Sequence, residues 1–525
     1  MHLITNARIY TFNAIQPVAD AMLLCGNQIA AVGSTKDFTG LSTITEVTDL
    51  NQQTVLPGFT DAHIHLLHFA KSLSLINCET STKKDCLEKI EQAVKNTPAG
   101  EWILGHGWNH HFWPEGIGTR QELDHIAPDH PVFLTNKSLH GAWVNSCALN
   151  HCGINVNTVV PDDGILGKDE NGQLNGLLYE SAVSLIGEKL PEFSTAKVKD
   201  ILSKAQTDLF SRGITCVHDF DRLDAFSVLQ SLEHDHDLRL RVLKYLPVES
   251  IDDIIAAGFH VGFGSQYLTF GGIKLFADGA LGTQTAAMLS PYEKSDNVGM
   301  LLIEPEEFQQ IARKAAQRHL SLAVHAIGDR ANQMVIEQFY KLRQWEQTNQ
   351  VTGMRHRIEH LQTCQPADLA RLAGLNVVAS VQPIHLPSDI TAADNSLGER
   401  ARHTYSFRSM KNLSIPMVFG SDAPVELPDV LIGIHAAVNR TRRDHTPHGG
   451  WQPEEKLALT SAFESFTSSA HQLFPLNGAT LGKLAPGFLA DLIVVDRDPF
   501  AAPSNPIKDV QVMKTMVDGH WVWQK

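Results

Sequence analysis

The stretch Val55-Leu-Pro-Gly-Phe-Thr-Asp-Ala-His-Ile-His65 ends in two histidines with one residue between them. If the apolar run before them is a β-strand, side chains alternate between its faces, so His63 and His65 point one way and Ile64 the other. Two imidazoles on one face at the C-terminal end of a strand form half of a metal site. Four more candidate ligands follow in order. Lys274 lies in Gly271-Gly-Ile-Lys-Leu-Phe-Ala-Asp-Gly279 and His325 in Leu322-Ala-Val-His-Ala-Ile-Gly-Asp329. His360 closes Arg357-Ile-Glu-His360, and Asp422 lies in Val418-Phe-Gly-Ser-Asp-Ala-Pro424. Each sits within, at the end of, or just after a predicted strand. One histidine in such a place is more often a satisfied structural residue, but this whole set is hard to obtain from packing alone. Nitrogen and oxygen donors of this kind suit zinc, with manganese, iron or cobalt as alternatives.

Position matters as much as residue type. Glu233-His-Asp-His-Asp-Leu238 also contains His-x-His, at His234 and His236, but its histidines alternate with acids in a polar junction after a helical segment. No apolar strand fixes them, so a solvated loop is expected. His110-His111 and His445…His448 likewise read as loop residues, with His110 or His111 reaching a substrate from the lid as the alternative.

The elements that must hold the ligands are strands alternating with helical patterns, which implies parallel βα units. After the opening strand come Gly213–Asp219, Leu238–Leu246, Gly271–Phe276, Ser321–His325, Arg357–His360, Val377–Val381 and Pro416–Gly420. Helices are predicted at Glu304–His319, Ala331–Gln344 and Pro366–Ala373. Eight strands predict a closed (β/α)₈ TIM-like barrel of class α/β, whose catalytic groups collect at the C-terminal rim. A doubly wound sheet is the competitor, but no Gly-x-Gly-x-x-Gly fingerprint follows the early strands.

Residues 1–54 read as short strands punctuated by Gly26-Asn27 and Gly33-Ser34, and 485–525 repeat that texture, with a hairpin signal at Asp518-Gly519. A composite β-sandwich built from both chain termini is expected; two independent terminal hairpins are the alternative. The barrel then spans 55–484. Within it, residues 66–195 are too long for one crossover and read as an α+β insertion after the first barrel strand, with a strand at Pro131–Thr135, expected to act as a lid.

Bulk composition agrees. A hydrophobic content of 43% and charged content of 19% describe a globular protein. The formal charge of −15, with no long Lys/Arg run, argues against nucleic acid, and no apolar stretch is long enough for a membrane span. The first residues lack the pattern of a signal peptide. The seven cysteines are scattered and odd in number, with no C-x-x-C pair, which suggests reduced thiols in a cytoplasmic protein. A small-molecule substrate is the expected partner. A homodimer is only the default for soluble oligomers, and no sequence feature raises it.

Residues Val55 to Asp422 resemble the amidohydrolase superfamily, and Gly271–Gly282, His325–Asp329, Arg357–His360 and Gly420–Pro424 resemble its amidohydrolase-3 branch, which includes YtcJ-type proteins and N-substituted formamide deformylases. His140-Gly-Ala-Trp-Val-Asn-Ser146 and Asp163-Gly164…Gly176-Leu-Leu-Tyr-Glu180 resemble that branch's insertion motifs. The resemblance implies His63 and His65 on one metal and His325 and His360 on a second. It also implies a carboxylated Lys274 bridging them, and Asp422 as ligand and proton shuttle. A carbamate is an anionic two-oxygen bridge, whereas an ammonium with pKa of about 10.4 repels cations. The alternative is Lys274 paired with Asp278 and a mononuclear site. Two motifs depart from the branch: Gly282-Thr-Gln-Thr-Ala286 has Gln284 where arginine is usual, and Gly107-Trp-Asn109 has asparagine where aspartate is usual. Both changes remove a charge, so a substrate cannot be borrowed from a relative.

The expected reaction is hydrolysis of an amide-like or formamide-like C–N bond, with Asp422 as general base and then general acid. Trp108, His140, Trp143, Gln284 and His385 are candidate substrate contacts, each with packing as its alternative. Glu359 is expected on the strand face opposite His360. Deamination, or ester or cyclic-amide hydrolysis, on the same site is the first rival reading. A binding protein that keeps the barrel without catalysis is the second.

Overall fold

The computed structural model describes all residues except 111–112, 137–140, 161–163, 191–192, 474–479 and 502–504. Eight parallel strands hydrogen-bond in chain order. They are β1 (Phe59–Ile64), β2 (Ile214–Asp219), β3 (Arg241–Pro247), β4 (Leu268–Phe276), β5 (Leu322–Ala326), β6 (Arg357–His360), β7 (Val378–Val381) and β8 (Met417–Phe419). Their residues are almost all buried, as expected of parallel strands covered on both faces. Helices follow at Pro305–Ala316, Asp329–Thr348 and Pro366–Leu372, close to the expected ranges.

The barrel is a nearly closed (β/α)₈ TIM-like barrel, and the closure runs through the candidate ligands. At the end of β1 and just beyond β8, Ile64 bridges Ala423 in parallel, Asp422 N–H donates to the His63 carbonyl at 2.7 Å, and His65 N–H donates to the Ala423 carbonyl at 2.9 Å. Gly420 permits this approach: a Cβ there would come within 2.4 Å of the His63 nitrogen.

The opening stretch does not form one strand. Pro57-Gly58 divides it into Thr54–Pro57, which joins a terminal sheet, and β1 in the barrel. Gly58 has to lack a side chain, because a Cβ would meet Thr215 Oγ1 at 2.4 Å. The terminal sheet orders His520–Gln524, Val512–Val517, Leu492–Val495, Thr54–Pro57, Arg8–Tyr10 and Val18–Ala19, mixing both chain ends. A second sheet of four strands comes entirely from the first fifty residues. Between the sheets lies a core that includes Ile4, Met22, Leu24, Val55, Leu492, Val494 and Met516. Asp518 and Gly519, both at positive φ, turn the last hairpin as its sequence signal requires. Arg241, fully buried at the start of β3, ties sandwich to barrel: it donates to Asp491 at 2.8 and 3.0 Å and to Asp518 at 3.0 Å.

Residues Ala70–Ile201 form a compact unit of their own. Its six-stranded mixed sheet includes Ile103–Trp108, Val132–Asn136 and Gly141–Val144. Its core gathers Trp108, Trp113 and Trp143 with Ile103, Val132 and Leu134. Among the described residues no helix is long and apolar enough to cross a membrane.

Candidate metal centre

Strand ends bring His63, His360 and Asp422 together. One donor atom from each lies within 4.8 Å of the others. The His63 ring is 5.1 Å from that of His360, which is 4.5 Å from that of His325. His63 Nε2 lies 3.5 Å and His65 Nε2 3.4 Å from the same Asp422 Oδ1. His360 and Asp422 adopt left-handed backbone conformations, with φ of 70° and 59°. Such conformations cost a non-glycine residue about 1–2 kcal/mol and tend to cluster at functional sites.

The electrostatics suit a cation. Burial, with help from the charge on Lys274, lowers both His63 and His325 to about 4, and burial beside His325 holds His360 well below its ordinary value. These three imidazoles are therefore neutral at pH 7, the form that binds metal. Burial opposes charge on Asp422, but His63, the hydrogen bond from His65 and His360 hold its carboxyl well below the usual range. Burial also opposes charge on His65, yet Asp221 and Asp422 outweigh it and raise His65 to about 9.

The rings are oriented from behind. His63 Nδ1–H donates to Glu359 Oε2 at 2.6 Å, which leaves Nε2 facing Asp422. Glu359 in turn accepts from the buried Arg357, whose guanidinium also reaches Ser380 Oγ and, at 2.8 Å, His218 Nδ1. His325 Nε2–H donates to the Gly279 carbonyl at 3.0 Å, leaving Nδ1 unengaged by that bond. Asp61 accepts from the backbone of Ser421 at 2.9 Å and of His63 at 3.1 Å, fixing the β1–β8 seam.

Lys274 is buried within β4, with Nζ 4.6 Å from the Phe220 ring centroid and 4.9 Å from that of Phe276. Burial lowers its pKa to about 8. Among the described residues it forms no ion pair with a carboxylate. The alternative pairing with Asp278 is corrected: Asp278 accepts from the backbone of Ala287 (2.9 Å), Ile327 (3.0 Å) and Gly328 (2.8 Å) instead.

Other expectations fare unevenly. Trp108 and Trp143 are corrected from substrate contacts to core residues of the insertion. Both are buried, and their indole N–H groups donate to the carbonyls of Leu134 (2.8 Å) and Thr119 (2.9 Å). His140 lies outside the described residues. Gln284 is half-buried after β4, at φ 54°, and its carbonyl accepts from Asn297 at 2.8 Å. His385 Nε2–H donates to the Ser421 carbonyl at 2.9 Å, next to Asp422. Both His234 and His236 are exposed, but only His236 lies in a turn; His234 is the last residue of the helix Leu223–His234, which corrects the loop expected there. Glu359 does not turn away from the site. It points inward like Arg357, and His360 reaches the same side because its positive φ breaks the strand's alternation. Sequence reasoning also passed over Asp221 and Phe220. The available signal was a polar residue immediately beyond a barrel strand, in Asp219-Phe-Asp221.

The protein is thus a barrel protein whose rim gathers candidate metal ligands. The profile of the amidohydrolase family matches residues 46–523, and the chain belongs to that family, a class of hydrolases. It is 31% identical to a putative amidohydrolase, YtcJ, of Bacillus subtilis over 92% of this chain and 91% of that protein. It is 28% identical to an N-substituted formamide deformylase of Arthrobacter pascens, over 98% and 97% of the two chains. The crystal structure of an uncharacterised metal-dependent hydrolase from Pyrococcus furiosus superposes with a TM-score of 0.77 at 27% identity, covering 95% of this chain and 99% of that one.

Proposed function

We propose that the protein is a metal-dependent hydrolase that cleaves the C–N bond of a neutral amide or formamide. The observation that carries this reading is the convergence of His63, His360 and Asp422 at one rim, with the buried imidazoles neutral and the carboxylate ionised. His63, His65, His325, His360 and Asp422 would hold one or two divalent cations, zinc suiting these donors best. When bound, a divalent cation lowers the pKa of water and polarises a carbonyl.

Asp422 takes the proton of the attacking water on its carboxylate and returns it to the departing nitrogen. Glu359 and Arg357 keep His63 in one tautomer throughout. Lys274 has no acid partner among the described residues and lies 4.6 and 4.9 Å from the centroids of two phenyl rings, so it is suited to carboxylation: its neutral amine would add to carbon dioxide and lose a proton to solvent, giving an anionic carbamate with two oxygen donors. Phe276 is 49% exposed, and its ring is 5.2 Å from that of His325. It offers an apolar surface to a substrate substituent, and Gln284 offers no charge, which together favour a neutral substrate. The name of the Arthrobacter pascens relative supports formamides as the first substrates to try.

The test combines metal per chain, by elemental mass spectrometry on protein purified without chelators, with a panel of amides, formamides, cyclic ureas and esters. Two cations per chain and amine release from a formamide are expected. One cation would demote Lys274 and leave Asp422 as base on a mononuclear site. No cation even after metal and bicarbonate are supplied, or silence across the panel in metal-replete protein, would overturn the reading in favour of a binding protein.

A further inference from the structure

Resting on the metal reading above, we infer that the end of β2, which supplies no ligand of its own, positions the His-x-His pair, with Asp221 as the residue that orients His65. Phe220 and Asp221 each address one histidine of the pair. The Phe220 ring stacks on His63 at 4.2 Å and 21°. Asp221 Oδ1 lies 3.3 Å from His65 Nδ1, on the far side of the ring from the Nε2 that faces Asp422. This parallels the contact of Glu359 with His63 Nδ1: each imidazole has its own carboxylate behind Nδ1 and presents Nε2 forward.

Asp221 is itself tightly held. It accepts from the backbone of Leu67 and His68, and its own carbonyl accepts from the fully buried Lys244. Lys244 pairs with Asp219 at 2.6 Å, and Asp219 accepts from Leu66 N–H at 2.9 Å. Two carboxylates from one strand end thus take up the first N–H groups of the helix Leu66–Ser72, which follows the histidines. The backbone around His65 and its ring are fixed by the same two side chains. A carboxylate in this position fixes the tautomer and raises the basicity of the liganding nitrogen, and losing it typically costs tenfold to a hundredfold in metal affinity.

His68 sits on the outer side of the same oxygen, with Nδ1–H donating to Asp221 and its side chain 61% exposed. One donor atom each from His65, His68 and Asp221 also lies within 4.8 Å of the others, so a rival reading makes this trio a cation site in its own right. The two readings differ in what His68 does.

The experiment is cobalt(II) and zinc(II) affinity by chelator competition, with the visible spectrum of the cobalt-loaded full chain, for the parent, Asp221→Asn, Asp221→Ala and His68→Ala. The expected result is a loss of roughly tenfold or more for both Asp221 variants, with a shifted cobalt spectrum, which a defect in helix capping alone would not produce. His68→Ala should keep the affinity and stoichiometry of the parent within twofold. Asp221→Asn that folds and binds within twofold, with the parent spectrum, would overturn the inference. So would a lost cation, or a tenfold weakening, in the surface variant His68→Ala, which folds independently of how the Asp221 variants fare. A parent that binds no cation at all would instead overturn the metal reading itself.

Discussion

The tripeptide His-x-His occurs twice, and the two copies have opposite fates. His63 and His65 close a buried barrel strand, each with a carboxylate behind its ring and Asp422 in front of it. His234 and His236 are exposed at the end of the helix Leu223–His234 and in its following turn, where His236 takes a positive φ of 62°. Residue type is identical in the two places, so the difference lies in support. Burial strips the first pair's imidazoles of competing water, and neighbouring strands supply acceptors that choose the tautomer. Solvent does neither.

The sharpest way to break the comparison is His63→Ala, which removes a forward-facing donor and should abolish bound cation and hydrolysis together, read by metal per chain and amine release. Asp422→Asn should lose turnover by about 10²–10⁴-fold, the usual worth of a positioned acid–base group, while the three neutral imidazoles still hold cation. Full turnover in a folded Asp422→Asn variant would remove Asp422 from the proton-transfer role.

Acid should separate the copies in the metal-free protein. His63 and His325 are held at about 4 in the folded state against 6.5 in the unfolded one. Between those values the unfolded chain binds protons that the folded chain refuses, so their stabilisation is complete above pH 6.5 and lost as pH falls through about 4. His65, raised to about 9, works in the opposite sense: its contribution is complete below 6.5 and lost as pH rises through about 9. Asp61 and Asp278, raised to about 6 and 7, act on the melting temperature in the opposite sense over the same window, so the readout is NMR titration of the imidazoles with chelator present: His63 and His325 should stay neutral down to about pH 4, and titration of both near 6.5 would contradict their neutral state. The smallest effect belongs to the exposed copy, where replacing His234 and His236 with alanine should change stability by no more than about 0.5 kcal/mol and leave bound metal untouched.

Much of this was legible in the sequence, because parallel barrel strands announce themselves as short apolar runs with chemistry at their C-terminal ends. The expected strands at Arg357–His360 and Val377–Val381 match β6 and β7 to within a residue. What escaped was whatever depends on a break in periodicity or on a partner distant in sequence. Strand alternation turned Glu359 away, because a pattern of period two cannot show the left-handed turn at His360. Asp221 meets His65 only once the barrel brings β2 beside β1, more than 150 residues along the chain. Trp108 and Trp143, read as candidate substrate contacts with packing as the alternative, fill the insertion's own core, and composition cannot tell a buried indole from an exposed one.

The mixed terminal sheet also imposes a schedule on synthesis. Thr54–Pro57 pairs with Arg8–Tyr10 on one side, a strand less than fifty residues before it in the chain. Its other neighbour, Leu492–Val495, is encoded more than four hundred residues later. At roughly 5–20 residues per second, that partner arrives on the order of half a minute or more afterwards. Throughout that interval an apolar strand edge, a few residues before His63 and His65, waits open to any other extended chain that could pair with it.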